Sequence, residues 1–456
     1  MKPTIAIAGA SGFVGRWFID RFHKEFNIIA FSRKKVEGSV REGVEWRIVD
    51  MYSLSSTTQA LRDADYALYL VHSMQPSTRL NQSNFEDTDL LLADNFARAA
   101  KENDLKQIIY MGGIIPKDGT ELSKHLRSRF EVEQTLGNTG IPVTTLRAGI
   151  IIGPGGSSFQ IVEKLVNRLP AMACPAWTKS NSQPIDVRDV MHILQYVMGN
   201  EQSFGRSIEI GGDEVISYMD MLRLTARTKR KNRLIFSVPF FTLGLSKLWV
   251  GLFSDTHPTF VSPLIESLRH EMVVDTSTHQ GLSLPAIQHG IQDSVNNALS
   301  NKHSIPKLPR REQRAKEKNT VRSVQRLPNP ARLSARWVAK LYQTWLPTLF
   351  RYLIRVDVTN NISSFRVFGT ELLKLEYIED RSDEDRQLFY IVGGKLAKRL
   401  DYGWLEFRNV LSREFTIGAI HEFVPRLPWY LYIFTQAQIH LWVMKRFGKY
   451  LSTQNQ

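Results

Sequence analysis

The chain has 456 residues, 43% of them apolar and 23% charged, with a formal net charge of +14. That length allows roughly two or three domains with ample core, and the balance of apolar and charged residues excludes wholesale disorder. A single cysteine, Cys174, excludes an intrachain disulfide framework and a cysteine-based zinc site.

The chain opens MKPTIAIAGASG, going directly into a predicted strand, Thr4–Ala8, ahead of which no signal peptide fits. The turn GASGFVG follows, then a helix with Trp17, Phe18, Phe22 and Phe26 at helical spacing, then a second strand, Asn27–Arg33. In this strand–turn–helix–strand setting the glycines have separate tasks. Gly9 permits the tight turn, Gly12 lets backbone approach a pyrophosphate, and Gly15 lets the helix pack on the strand. An anion then sits on the helix N-terminus, against the amides of Ser11, Gly12, Phe13, Val14 and Gly15. The second strand ends in Ser32, Arg33, Lys34 and Lys35, with no carboxylate to accept a ribose 2′-hydroxyl. Cations and a hydroxyl suit a 2′-phosphate, so the expected cofactor is NADP(H). The alternative is a solvated basic turn.

Further strands are predicted at Glu45–Ser53, ending at Asp50 and Met51 as candidate adenine contacts, and at Asp65–Met74, ending at His72 and Ser73. A long amphipathic helix carrying Asn95 leads to a strand at Lys106–Ile114 that ends in Gly112 and Gly113. The segment HLRSRFEVE then places His125, Arg129 and Glu133 on one helix face, and PVTTLRAGIIIGPGG supplies another strand that ends near Ile150. Alternating strands and helices of these lengths predict an α/β fold with a doubly wound parallel sheet, its ligands at the carboxyl ends of the strands.

GASGFVG, Asn95, LRAGIIIGPGG and QPIDVRDV together resemble the extended and atypical short-chain dehydrogenase/reductase superfamily. LYLVHSM, HLRSRFEVE and LIESLRHEMVV look more specifically like its YbjT-like group, related to NmrA-like proteins and to the 39-kDa accessory subunit of respiratory complex I. The resemblance covers about residues 1–300 and implies NADP(H) binding and an oxidoreductase ancestry. It also implies a departure. His125 stands where the superfamily has a proton-donating Tyr, Arg129 where it has Lys, and Gly112-Gly113 where it has a substrate-holding Ser. Arg129 can still contact the cofactor ribose but cannot shuttle a proton, whereas His125 is a candidate acid or base. Glu133 matches a Glu often found in extended members.

Residues 151–300 should supply the substrate-facing half. Phe236, Pro239, Phe240, Phe241, Leu248, Trp249, Leu252 and Phe253 read either as core or as the wall of an apolar, quinone- or isoprenoid-like substrate site. The run Leu234–Phe253 is broken by Pro239 and Lys247, so it reads as core rather than a spanning helix, with contact at one membrane face as the alternative. Residues 301–332 read as a basic linker, because nine Lys/Arg against Glu312 and Glu317 between Lys302 and Arg326 leave +7 of the net charge there. Acidic lipid or an acidic partner is the sharper alternative to a solvated run. Residues 333–456 predict an α+β domain. A helix comes first, then short alternating strands, then one long helix with the stripe Trp429, Ile433, Ala437, His440, Met444, Phe447, Leu451. A sheet gripping a C-terminal helix resembles START-like, helix-grip domains, which enclose apolar ligands. No metal-binding spacing and no nucleic-acid-binding signature is found. The expected location is cytoplasmic, with peripheral contact to the inner face of a membrane as the alternative, and the oligomeric state is left open.

Overall fold

The computed structural model describes residues 2–37, 41–72, 80–116, 121–238, 269–300, 310–311, 320–351, 353–398 and 403–454. Two units emerge: residues 1–74 with 95–313, and residues 75–94 with 314–456.

The first unit is built on seven parallel strands: β1 (Thr4–Ala8), β2 (Asn27–Ser32), β3 (Val44–Ile48), β4 (Tyr66–Tyr69), and three more beyond a strand that leaves the sheet. That strand is β5 (Leu80–Gln82), which belongs to the second unit. The sheet resumes with β6 (Gln107–Gly113), β7 (Val143–Ala148) and β8 (Ser207–Ile210), in the order β8-β7-β6-β4-β1-β2-β3. Its central strands are apolar along their length because a parallel sheet with helical crossovers is covered on both faces. Ile5, Ile7, Ile28, Ala30, Leu68 and Ile109 are all buried in one core. The helices of this unit are α1 (Phe13–Phe22), α2 (Leu54–Ala60), the part of α3 (Phe85–Glu102) from Asn95 onward, its earlier residues belonging to the second unit, α4 (Lys124–Gly137), α5 (Ser157–Arg168), α6 (Val187–Val197), α7 (Tyr218–Thr228) and α8 (Ile291–Ser300). Their starts are chemically marked: Ser123 caps α4, Asp186 caps α6 and Ser217 caps α7, each side chain accepting a backbone N–H of the first turn. The expected doubly wound sheet is therefore present.

The second unit is an antiparallel meander. It contains β9 (Val321–Pro328), β10 (Ile354–Thr359), β11 (Ile362–Val367), β12 (Thr370–Tyr377), β13 (Arg386–Gly393), β14 (Trp404–Val410) and β15 (Phe415–Phe423). The order is β10-β11-β12-β13-β14-β15-β9-β5, with β5 running parallel to β9 at one edge. One face packs on α9 (Ala335–Leu349), α10 (Trp429–Phe434) and α11 (Gln436–Leu451), through Val338, Trp345, Phe407, Met444 and Phe447. The opposite face carries charge. Glu406 is fully buried between Arg386 (3.0 Å), Arg408 (2.9 Å) and His421 (3.1 Å). Arg408 also donates to Asp94 (2.7 Å) and Arg326 to Asp87 (2.7 Å), so this face meets one side of α3 at positions two turns apart.

Three expectations change. The segment 301–332 is not linker throughout, since β9 runs inside it and two of its cations, Arg322 and Arg326, are paired with Glu422 and Asp87. The second unit also takes residues 75–94 from the region assigned wholly to the first domain. The final helix is two helices, broken at Thr435, whose φ of −123° and ψ of −88° cannot continue a helix. A C-terminal helix against one face of an antiparallel sheet is as far as the resemblance to START-like helix-grip domains extends.

Candidate dinucleotide site

β1 delivers the chain to Gly9 at φ +91°, a conformation that side chains with a Cβ rarely adopt. A Cβ there would also lie 2.9 Å from the Leu70 carbonyl. Gly12 donates back to the Gly9 carbonyl at 2.8 Å, closing the turn. A Cβ on Gly15 would sit 2.6 Å from that same carbonyl, so only glycine lets α1 start this close to β1. The helix ladder begins with Arg16 donating to Gly12, which leaves the amides of Phe13, Val14 and Gly15 ahead of it, at the positive end of the helix. Ser11 and Gly12 flank the same opening. A bare glycine turn followed by unladdered amides fits a pyrophosphate. The Phe13 ring packs toward Gly153 and Gly156, and Trp17 donates its indole N–H to Pro154 (3.2 Å), so the loop after β7 is tied to α1.

At the end of β2 the Ser32 side chain is buried and its hydroxyl accepts from the Lys34 amide at 3.3 Å, while Arg33, Lys34 and Lys35 are exposed. The backbone of Arg310–Arg311 pairs antiparallel with Val36–Glu37, directly after these cations. Nothing in the sequence signalled that pairing beyond the basic composition of the run.

Past β3, Asp50 shapes its own turn, its amide donating to Ser56 (3.1 Å) and its carboxylate accepting from Tyr52 (3.2 Å). Asn95 is one of the residues on which the family resemblance rests. It is fully buried and its amide donates to the carbonyls of Met51 (2.8 Å) and Tyr52 (3.0 Å), so it holds the loop that carries Asp50 and Met51. Ile150 also changes role. Its side chain is in a core cluster with Ile152 and Phe159, and its carbonyl accepts from Ile185. Ser73 lies outside the described residues, as do Pro239, Phe240, Phe241, Leu248, Trp249, Leu252 and Phe253 of the aromatic cluster.

At the ends of β4 and β6 the structure brings two histidines together. His72 Nε2 lies 3.2 Å from His125 Nδ1, with ring centroids 4.9 Å apart. Burial first, then the charge on Arg129 and the neighbouring His72, hold the His125 imidazole well below the ordinary histidine range. These surroundings favour the neutral imidazole over the imidazolium. Arg129, one turn on, donates to the Met111 carbonyl at 2.8 Å and so anchors α4 to the end of β6, beside Gly112 and Gly113. Glu133 takes a bidentate contact from Arg147 (2.7 and 3.0 Å) and the Ser207 hydroxyl (2.5 Å), tying α4 to β7 and β8. The three residues on one helix face therefore do different things, and only His125 and Arg129 stand near the strand ends. Ile114, Leu126 and Met272 form a buried apolar cluster, with Leu122 and Val274 packed against it.

A seven-stranded parallel sheet with a glycine turn between β1 and α1 defines a dinucleotide-binding domain. Residues 9–168 match a family model described as NAD(P)H-binding. The chain resembles the auxiliary protein GraX of Staphylococcus aureus, with 29% identity over 149 residues, 32% of this chain; the match spans 44% of that relative's length. Among solved structures, a nucleoside-diphosphate-sugar epimerase of Staphylococcus aureus superposes with TM-score 0.51 at 14% identity, covering 64% of this chain and 99% of the epimerase. The triphenylmethane reductase of Citrobacter sp., solved with NADP(H), superposes with TM-score 0.50 at 16% identity, covering 65% of this chain and all of the reductase (100%). These likenesses show the fold. Residues 9–168 thus match an NAD(P)H-binding model, and the first unit shares its fold with this epimerase and this reductase. Among the described residues no helix is long and apolar enough to cross a membrane.

Proposed function

We propose that the protein is an NADP(H)-dependent oxidoreductase of the atypical short-chain type, working without a Ser-Tyr-Lys triad on an apolar, quinone- or isoprenoid-like acceptor. The observation that carries this reading is the end of β2, where three exposed cations follow a buried serine and no Asp or Glu occurs from Asn27 to Val36. The bound cofactor would supply hydride. Around it the chain's own groups have limited chemistry. A neutral His125, its Nδ1 facing His72, can donate through Nε2–H to a substrate oxygen, but cannot deliver a proton as imidazolium. That suits an acceptor whose proton comes from water, such as a quinone or an activated double bond.

A second reading, a non-catalytic NADPH-bound scaffold or redox sensor, draws on a specific observation. Arg129 and Glu133 are engaged in holding α4 to β6, β7 and β8, a structural use of the face that carries the chemistry in related reductases.

Calorimetry with NADPH and NADH separates cofactor preference from chemistry. One charge-assisted contact to the 2′-phosphate is worth about 1.5–3 kcal/mol, roughly ten- to a hundredfold in affinity. Arg33→Asp should abolish or reverse the preference, and equal affinity of the wild type for both cofactors would defeat the assignment. NADPH oxidation with quinone and flavin acceptors then distinguishes the enzyme from the scaffold, and mass spectrometry of small molecules retained on purification names the acceptor class.

A further inference from the structure

In the second unit, α10 and the first half of α11 have an outer face that is largely exposed among the described residues, with Phe350 edge-on to Trp442 at 5.9 Å. Tyr432, Trp429 and Ile433 pack toward the sheet, while Leu427, Tyr430, Leu431 and Phe434 point away, with Tyr430 65% and Phe434 80% exposed. On α11 the sheet side is Ala437, Met444, Phe447 and Leu451, and the outer side begins with exposed Ile439 and Trp442. The same outer side then turns basic through exposed Lys445, Arg446 and Lys449, and the Arg446 guanidinium lies over the Trp442 ring, 5.6 Å from its centroid. No Asp or Glu follows Glu422, so Arg426 and these three cations give the segment after it a side-chain charge of +4.

We propose that this face lies flat on an anionic lipid bilayer. The apolar residues of α10 and early α11 enter the boundary between headgroups and acyl chains, and Arg426, Lys445, Arg446 and Lys449 meet lipid phosphates. The proposal does not depend on the cofactor reading. Scattered single exposed apolar residues need no explanation, but here six fall between Leu427 and Trp442 and include Tyr and Trp, side chains with an apolar body and a polar tip. A short amphipathic helix with aromatic and aliphatic residues outward and cations alongside has the chemistry of a surface-lying membrane contact. Its lengths forbid spanning: α10 has 6 residues and α11 has 16. A second copy of the chain is disfavoured as the occupant. An isologous contact would bring this basic segment against its twin, which costs affinity.

The test is flotation of the purified full-length protein with vesicles. One set is phosphatidylcholine alone, and the other has roughly one part phosphatidylglycerol to two parts phosphatidylcholine. The expected result is strong preference for the anionic set, released by ~0.5 M salt. Leu431→Ser with Phe434→Ser should lower anionic binding roughly tenfold or more. Lys445→Gln, Arg446→Gln and Lys449→Gln should each lower it about fivefold. Circular dichroism and NADPH affinity unchanged from wild type show that each variant is folded. Equal binding to both vesicle types, or full binding by the folded Leu431→Ser/Phe434→Ser variant, overturns the proposal. So does a dimer in sedimentation that this variant splits, since the face would then be a contact between copies.

Discussion

Replacing Glu406 with Gln tests whether the charged face of the second sheet is a closed ionic cluster. Glu406 has no exposed surface, and its carboxylate receives Arg386, Arg408 and His421 within 3.1 Å. Burial pulls its carboxyl up, but Arg408, Arg386 and His421 outweigh that and hold it well below the usual carboxylate range. Glutamine keeps the shape and deletes the charge that Arg386 and Arg408 both face at Glu406. Removing one partner from a buried pair costs about 3–5 kcal/mol. In a unit of about 160 residues each kcal/mol lowers Tm by about 2–4 °C, so the transition of this unit should fall by roughly 6–20 °C. The sign with pH follows from the depressed carboxyl. Its contribution is complete above the unfolded value near 4.5 and is lost as pH falls through the lower folded value, so only the wild type should lose this increment on acidification. Thermal melting followed by circular dichroism, with NADPH affinity measured in parallel, reads the result. A shift equivalent to less than ~1 kcal/mol would refute the reasoning, because it would mean that water already screens these charges.

Other outcomes follow from single residues. Gly15→Val should abolish cofactor binding, since a Cβ would meet the Gly9 carbonyl at 2.6 Å; calorimetry that still shows NADPH binding would place the site elsewhere. Arg129→Ala should weaken NADPH binding by freeing the end of β6, while His125→Ala should leave affinity unchanged and lower any turnover; intact turnover would leave His125 without a chemical role. Burial pulls the His440 imidazole down to about 4, with Nε2 closed off from any partner. Its unfolded form gains a proton near 6.5, so acidification from there toward 4 should destabilise the wild type, and His440→Leu should flatten that part of the stability profile.

The parallel sheet was legible because its signals are local: apolar runs of strand length, a glycine turn, helices of period 3.6. Gly9 and Gly15 were assigned correctly for the same reason, since φ and close approach restrict the residue type at the position itself. The strands Ile362–Val367 to Phe415–Phe423 were visible through alternation and turn residues. What was hidden depends on partners far along the chain. β9 reads as a basic run because Arg322 and Arg326 look solvated until Glu422 and Asp87 are seen beside them. Its apolar side, Val321 and Leu327, is interrupted by a bulge that spoils strict alternation. β5 is three residues, LNQ, with no pattern to read. Asn95 was flagged rightly as special, yet sequence could not tell a residue that touches a ligand from one that holds the loop beneath it.

The excursion through β5 has a consequence for how the protein is made. Gln325 donates to the Gln82 carbonyl across 243 residues of chain, and β5 closes one edge of a sheet whose other seven strands all come after residue 320. At ~5–20 residues per second on the ribosome, this edge waits roughly 12–50 s for β9. Throughout that interval Asp87 and Asp94 have neither Arg326 nor Arg408 to pair with. The nascent chain must therefore carry β5 without β9, and Asp87 and Asp94 without these two arginines, through about half of synthesis. A C-terminal fragment beginning at residue 314 would emerge with its own edge missing, and supplying residues 75–94 as a separate peptide should complete its sheet in trans.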